Sequence, residues 1–283
     1  NGQVQFQHFP AEQLGKAKDM AQLTVAGVAD VAYIVPSYSS DKYPLTAVAE
    51  LPGAFESQCQ GSLAYYKLSH GGGILETREF LPNGLRPLVT IALPAYQMLL
   101  GNPRAINAAA DLAGLKIRTA GGAMDLTMRA IKTVPVRMAA PEIYESLTRG
   151  TIDGIVLSYQ STVSYDLGKI LKSGTSGMNF GTAVFVYGIG EAKWKTLPEN
   201  VRKAMIEAGE QTTREGCKRF EDGEKSAAAK IQSQGMKVIS FADADLKHFS
   251  DVFAGVAAEW AKETDKRGKP ASETLKAFKA ALQ

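Results

Sequence analysis

The chain is 283 residues long, roughly 1.9 times a typical domain of about 150 residues, so it holds one very large domain or two ordinary ones. With 45% apolar and 22% charged residues it has the composition of a globular protein with a real core, which excludes disorder, coiled coil and collagen-like repeats. Its 32 basic and 29 acidic residues leave a net charge of +3 without a long basic run, so nucleic acid and anionic membrane surfaces drop out as partners.

The most apolar stretch, 85–100, is interrupted by Arg86, Pro87, Pro94 and Gln97, short of the roughly 20 apolar residues of a membrane span. The chain therefore reads as not membrane-embedded. Asn1 to Phe6 carries neither a basic nor an apolar leader segment, so any secretion signal is expected to have been removed. Val4 to Phe9 alternates apolar and polar residues, the period of a half-buried strand. After Pro10 and Gly15, the spacing predicts a helix over 16–25 and a strand over 30–35. The alternation continues with a helix at 63–75, strands at 88–93 and 115–119, and a helix at 123–131. It ends with a strand at 134–138, a helix at 141–149 and a strand at 152–157. Such alternation implies α/β layers with mostly parallel strands.

Charge density then rises sharply, from 4 charged residues in 151–190 to 17 in 191–230. Pro198 opens a helical pattern that Gly235 stops, predicting one helix of about 36 residues and roughly 54 Å, long enough to cross two domains. Gly209, Gly216 and Gly223 share one face of it and read as close packing. Phe241 to Gln283 reads as a strand-like start followed by two amphipathic helices, and the break at Gly268 to Pro270 favours a monomer.

Catalytic signatures are missing: there is no GxSxG elbow, HExxH pair, phosphate loop or dinucleotide-binding glycine run. Gly71 to Gly73 reads as a helix stop, and the SxxK pattern at Ser39 to Lys42 as chance. His8, His70 and His248 have no metal-ligand spacing, and no carboxylate cluster stands out, so neither a metal nor a cofactor is expected. Cys59 and Cys217 lie 158 residues apart, and sequence does not decide whether they pair. What remains is Arg118, at the end of the Lys116 to Thr119 strand before Gly121-Gly122. Its planar fork there suits a carboxylate or, on the plainer reading, a surface salt bridge.

Five segments together resemble the DctP-type solute-binding proteins of TRAP (tripartite ATP-independent periplasmic) transporters. They are 8–15 (HFPAEQLG), 27–30 (GVAD), 111–118 (DLAGLKIR), 141–154 (PEIYESLTRGTIDG) and 194–198 (WKTLP). The resemblance implies a two-lobed periplasmic-binding-protein-like α/β fold with mixed sheets and a long helix bridging both lobes. Lobe I would comprise 1–93 and 184–223, and lobe II 94–183 and 224–283. It also implies periplasmic residence, capture of a small organic acid between closing lobes, delivery to membrane permease subunits, and no enzymatic activity. Family members usually begin with one further strand and helix, so either roughly 30 residues are expected to precede Asn1, including a strand that lines the cleft, or the protein is shortened. The arginine of the Lys-Ile-Arg motif binds substrate carboxylate in the family, a role that carries over to Arg118.

Departures from the family bear on the acid. Where many members have an asparagine after the Asp153-Gly154 motif, this chain has Ile155-Val156-Leu157-Ser158-Tyr159, so Ser158 or Tyr159 would replace it. Tyr33 and Tyr38 stand where sialic-acid binders place charged groups. Met98, Asn179, Phe180 and Tyr144 complete the expected ligand contacts, around a pocket less polar and more aromatic than a sugar-acid site. The rival readings are a two-lobed enzyme acting on a carboxylic acid, which would need a base beside Arg118, and a ligand-sensing domain for a signalling partner.

Overall fold

A computed structural model describes residues 4–283; the first three residues, where the leader reading begins, lie outside it. In chain order its elements are α1 (Met20–Val25), β1 (Val31–Ile34), α2 (Gln58–Ser69), β2 (Leu85–Ala92), β3 (Gln97–Leu100), β4 (Lys116–Thr119), α3 (Ala123–Ala130), β5 (Val134–Arg137), α4 (Ile143–Thr148), β6 (Gly154–Leu157), α5 (Tyr159–Ser164), β7 (Ser173–Thr175), β8 (Val184–Gly190), α6 (Glu191–Thr196), α7 (Glu199–Ser233), β9 (Lys237–Ile239), α8 (Asp243–Lys266) and α9 (Ala271–Ala281).

Two sheets organise the chain. The smaller has the order β1-β8-β2 with both pairings antiparallel. The larger has the order β5-β4-β6-β3-β7-β9 and is mixed: β4 runs parallel to β5 and β6, whereas β3 runs antiparallel to β6 and β7. The expectation of mostly parallel strands fails for a topological reason. The chain leaves the smaller sheet through 93–96 and returns through 181–183, and the strands beside these crossovers, β3 and β8, run against their neighbours. The crossovers lie side by side: Leu93 N–H donates to Ala183 O at 2.9 Å and Tyr96 N–H to Gly181 O at 2.8 Å.

Local chemistry explains most boundaries. Ser57 caps α2, its Oγ accepting Gln60 N–H at 3.2 Å, and Gly71 and Gly72, with φ of +62° and +84°, turn the chain where a side chain would be strained. Val4 to Phe9 has the alternation of a strand but joins no ladder, and Val4, Phe6 and Phe9 are exposed. Alternation marks a residue pattern able to form a strand; a strand also needs a neighbouring edge to hydrogen-bond.

The 35 residues of α7 span roughly 52 Å. A Cβ added at Gly209 would stand 2.1 Å from Leu88 O, and one at Gly216 2.6 Å from Ile91 Cδ1, both on β2. One at Gly223 would stand 2.8 Å from Gln160 Nε2 on α5, against the larger sheet. The glycine row therefore seats one helix on both lobes. Cys59 of α2 and Cys217 of α7 form a disulfide, with Cα atoms 4.9 Å apart, tying the long helix to the smaller sheet's side.

The C-terminal packing corrects the expected placement of 224–283 on lobe II. Phe249 packs in the core of the larger sheet, but Val256, Trp260 and Ala261 of α8 and Ala271 and Phe278 of α9 pack with the smaller sheet's core. Helix α8 is a second bridge. Its periodicity marks an apolar face without revealing that the face changes partners halfway.

Candidate ligand cleft

Arg118 sits on β4, paired with Val136 of β5 and Ile155 of β6, and is 1% exposed. A buried guanidinium must be hydrogen-bonded. Nε and Nη2 both donate to Met138 O, at 3.0 and 2.9 Å, which fixes the plane of the fork. Nη1 has no hydrogen-bond partner among the described residues. The arginine thus offers its end, one N–H from each terminal nitrogen, rather than its side, and an end-on pair still matches both oxygens of a carboxylate.

Tyr96 and Tyr165 lie within reach of its charge, and Tyr33 and Tyr38 lie beside those two. Tyr38, on the turn Pro36–Ser39 after β1, reaches the other lobe: its hydroxyl accepts Ala140 N–H at 2.9 Å. Tyr33 of β1 packs its ring against Phe185 and Tyr187, with centroids 4.8 and 5.8 Å away. It keeps 41% of its surface open, and the packing around its phenol holds that group above the usual range. Tyr96, on the first crossover, is 2% exposed; burial raises its phenol, against the pull of the Arg118 charge. Tyr165, at the end of α5, is raised first by burial and then by Tyr38, again against Arg118. The hydroxyls of Tyr33, Tyr96 and Tyr165 have no hydrogen-bond partner among the described residues.

The Gly121-Gly122 turn closes this arrangement. With φ of +107° and +61°, it brings the second lobe so near the first that a Cβ at Gly121 would meet Ser37 O at 2.7 Å, and one at Gly122 would meet Glu50 Oε2 at 3.2 Å. Arg137 is paired with Asp125, whose other oxygen accepts Thr119 Oγ1–H at 2.5 Å, so that cation is engaged.

Of the expected contacts, Arg118 is buried on β4, Tyr38 bonds Ala140 of the opposite lobe, and Tyr33 lies beside Phe185 and Tyr187; the others are placed as follows. Met98 is fully buried inside the larger sheet. Ser158 caps α5 through Ser161 N–H, and Tyr159 donates its hydroxyl to Thr175 O at 2.6 Å, so both are committed to the fold. Phe180 is enclosed by Phe249 and Phe253. Asn179 turns its side chain back onto Gly181 N–H at 3.0 Å, and Tyr144 is 47% exposed on α4. Sequence reading missed Tyr96 and Tyr165. Tyr96 had a usable signal, an aromatic directly after the Pro94 break; Tyr165 had none.

A groove of about 920 Å³ lies on the smaller sheet between the 4–15 segment, Tyr33, Tyr187 and the start of α7, but it includes neither Arg118 nor Tyr96. Among the described residues no three His, Cys, Asp or Glu side chains gather as a cation site, and no helix is long and apolar enough to cross a membrane.

Two sheets joined by paired crossovers, with a buried cation beside the place where they meet, make the frame of a two-lobed ligand-capturing protein. The chain belongs to the DctP family, bacterial extracellular solute-binding protein family 7, whose family model matches residues 1–264. It is therefore a bacterial solute-binding protein rather than an enzyme. A solute-binding protein of Albidiferax ferrireducens is 24% identical over 254 residues, covering 89% of this chain and 73% of the relative. A TRAP solute-binding protein from Rhodoferax ferrireducens, solved with copurified benzoate, superposes with a TM-score of 0.89 at 23% identity, over 99% of this chain and 87% of that one. Another from Rhodoferax ferrireducens, with bound malonate, gives 0.84 at 21% identity, over 99% and 87%. At such identities the solved structures establish the shared fold.

Proposed function

We propose that this protein captures an aromatic or otherwise hydrophobic monocarboxylate between its two lobes in the periplasm and hands it to TRAP membrane permease subunits. One observation carries the reading: a buried arginine held along one edge by Met138 O, with Tyr96 and Tyr165 within reach of its charge and Tyr33 and Tyr38 beside those two tyrosines. In a site that excludes water, the arginine pairs strongly with one carboxylate, and aromatic walls favour an apolar body behind it. Closure follows because only the closed form contacts the acid from both lobes. The solved relatives with benzoate and malonate support a carboxylate ligand and leave aromatic and short dicarboxylic acids as the alternatives to separate.

The test is a melting screen at about 1 mM acid with benzoate, mandelate, malonate and a sugar acid, on wild type and Arg118→Ala. A dissociation constant near 1 μM stabilises by about 4 kcal/mol, a shift of roughly 8 °C or more in a chain of this size. The aromatic acids should shift wild type and leave the variant unmoved. A larger shift with malonate or the sugar acid would overturn the aromatic assignment, and an equal response of the variant would remove Arg118 as anchor.

A further inference from the structure

The tyrosines of the cleft are not equivalent. Tyr38 is already bonded to Ala140, and Tyr33 and Tyr165 keep 41% and 38% of their surfaces open. Tyr96 alone among the four is both 2% exposed and without a protein partner for its hydroxyl. Its backbone is held on both sides, N–H to Gly181 O at 2.8 Å and O from Phe180 N–H at 3.1 Å, so the ring is carried by the rigid part of the crossover. Tyr96 directly precedes β3, and a single strand, β6, separates β3 from Arg118's strand β4, so the phenol is in reach of the guanidinium charge.

Arg118 leaves work for a second donor. With Nε and one Nη2 proton spent on Met138 O, it covers one lone pair on each carboxylate oxygen, and a buried carboxylate needs more donors than that. We propose that Tyr96 is a second carboxylate anchor, donating its hydroxyl beside Arg118, so that the site receives one anionic group at this end. The inference rests on the carboxylate reading above and extends it to a residue and a selection rule. Burial keeps the phenol protonated, so it acts as a donor at every physiological pH. A neutral donor completes the coordination without adding a second positive charge, which favours monocarboxylates over dicarboxylates of similar size.

Tyr96→Phe tests it, measured by calorimetric titration with whichever of benzoate, mandelate and malonate stabilises wild type most. Because the hydroxyl has no partner within the fold, the unliganded variant should melt within about 1 °C of wild type. Its dissociation constant should be about 10- to 100-fold weaker, the loss of a hydrogen bond to a charged group. Tyr159→Phe, which deletes a hydroxyl bonded to Thr175 O, should do the reverse, lowering the melting point and sparing affinity. Unchanged affinity in Tyr96→Phe, with binding lost in Arg118→Ala, would overturn the anchor and leave the carboxylate reading standing. A variant that melts several degrees lower or fails to fold would show the hydroxyl holding the structure and would also overturn it. Failure of all three acids to bind wild type removes both readings.

Discussion

At the scale of single residues, the carboxyls of Glu50 and Glu79 are buried with neutral partners. Glu50 is 1% exposed; its Oε1 accepts Ser37 Oγ–H at 2.8 Å and Val184 N–H at 3.4 Å, while Oε2 has no partner. Burial pushes its carboxyl up to about 8. Glu79 accepts Leu45 N–H at 2.5 Å and Thr46 N–H at 2.7 Å, and burial still outweighs these donors, lifting it to about 7. Both groups hold a proton more tightly in the folded chain than in the unfolded one. Their contribution to stability is complete below about pH 4.5 and is lost as pH rises through about 7 to 8, after which it changes little. Glu50→Gln removes one titration while keeping a neutral polar side chain. Relative to wild type, that variant should gain stability steadily from pH 5 to pH 8.5, by on the order of a few kcal/mol. Melting curves across that range check it, and parallel curves for the two proteins would refute it. None of this was legible in the sequence: Glu50 stands in the run Val48-Ala49-Glu50-Leu51 as an ordinary polar residue, and its burial comes from Ser37, Val184 and Gly122, distant in the chain. The place of Arg118 on a strand just before a glycine turn was legible because the strand, the arginine and the glycine pair stand in sequence order.

At the scale of elements, glycine has opposite meanings in the two bridging helices. Gly209 of α7 faces Leu88 O, so Gly209→Ala must push the helix off β2, and overpacking of that kind costs about 1–3 kcal/mol. Gly255 of α8 has nothing within 4 Å of where its Cβ would be, so Gly255→Ala should stabilise by about 0.5–1 kcal/mol through helix propensity alone. Thermal unfolding should therefore separate the two variants in sign, with Gly209→Ala below wild type and Gly255→Ala above it. Equal shifts would mean that α7 is not seated on β2 as described. Element type and order were largely legible because periods of two and 3.6 are carried by the residues themselves. The short strand β3 was not, since Gln97 to Leu100 continues the apolar run of β2 across Pro94, and only the crossover separates them. The partner of α9 was not legible either, because an amphipathic face does not say which core it covers.

At the scale of the whole molecule, the two lobes are held by crossovers, by α7 and by α8, and they touch where the 36–39 turn meets Gly121 and Ala140. The bridges set how far the lobes can part, while the contacts at the cleft set how much the closed form is favoured. Of these, Tyr38 makes the most separable contribution, because its hydroxyl bonds an amide of the opposite lobe, whereas its ring packs against the larger sheet's core. Tyr38→Phe keeps the ring and deletes one hydrogen bond worth about 0.5–1.5 kcal/mol, and a ligand that binds only the closed form must supply the difference. Affinity for the acid that stabilises wild type most should fall about 2- to 13-fold, with the chemistry of recognition by Arg118 untouched. The discriminating measurement is hydrogen exchange at Ala140: its amide should become protected when ligand is added to wild type and much less so in Tyr38→Phe. If the amide is equally protected with and without ligand in wild type, the contact is permanent, and the lobes close, if they do, about some other seam.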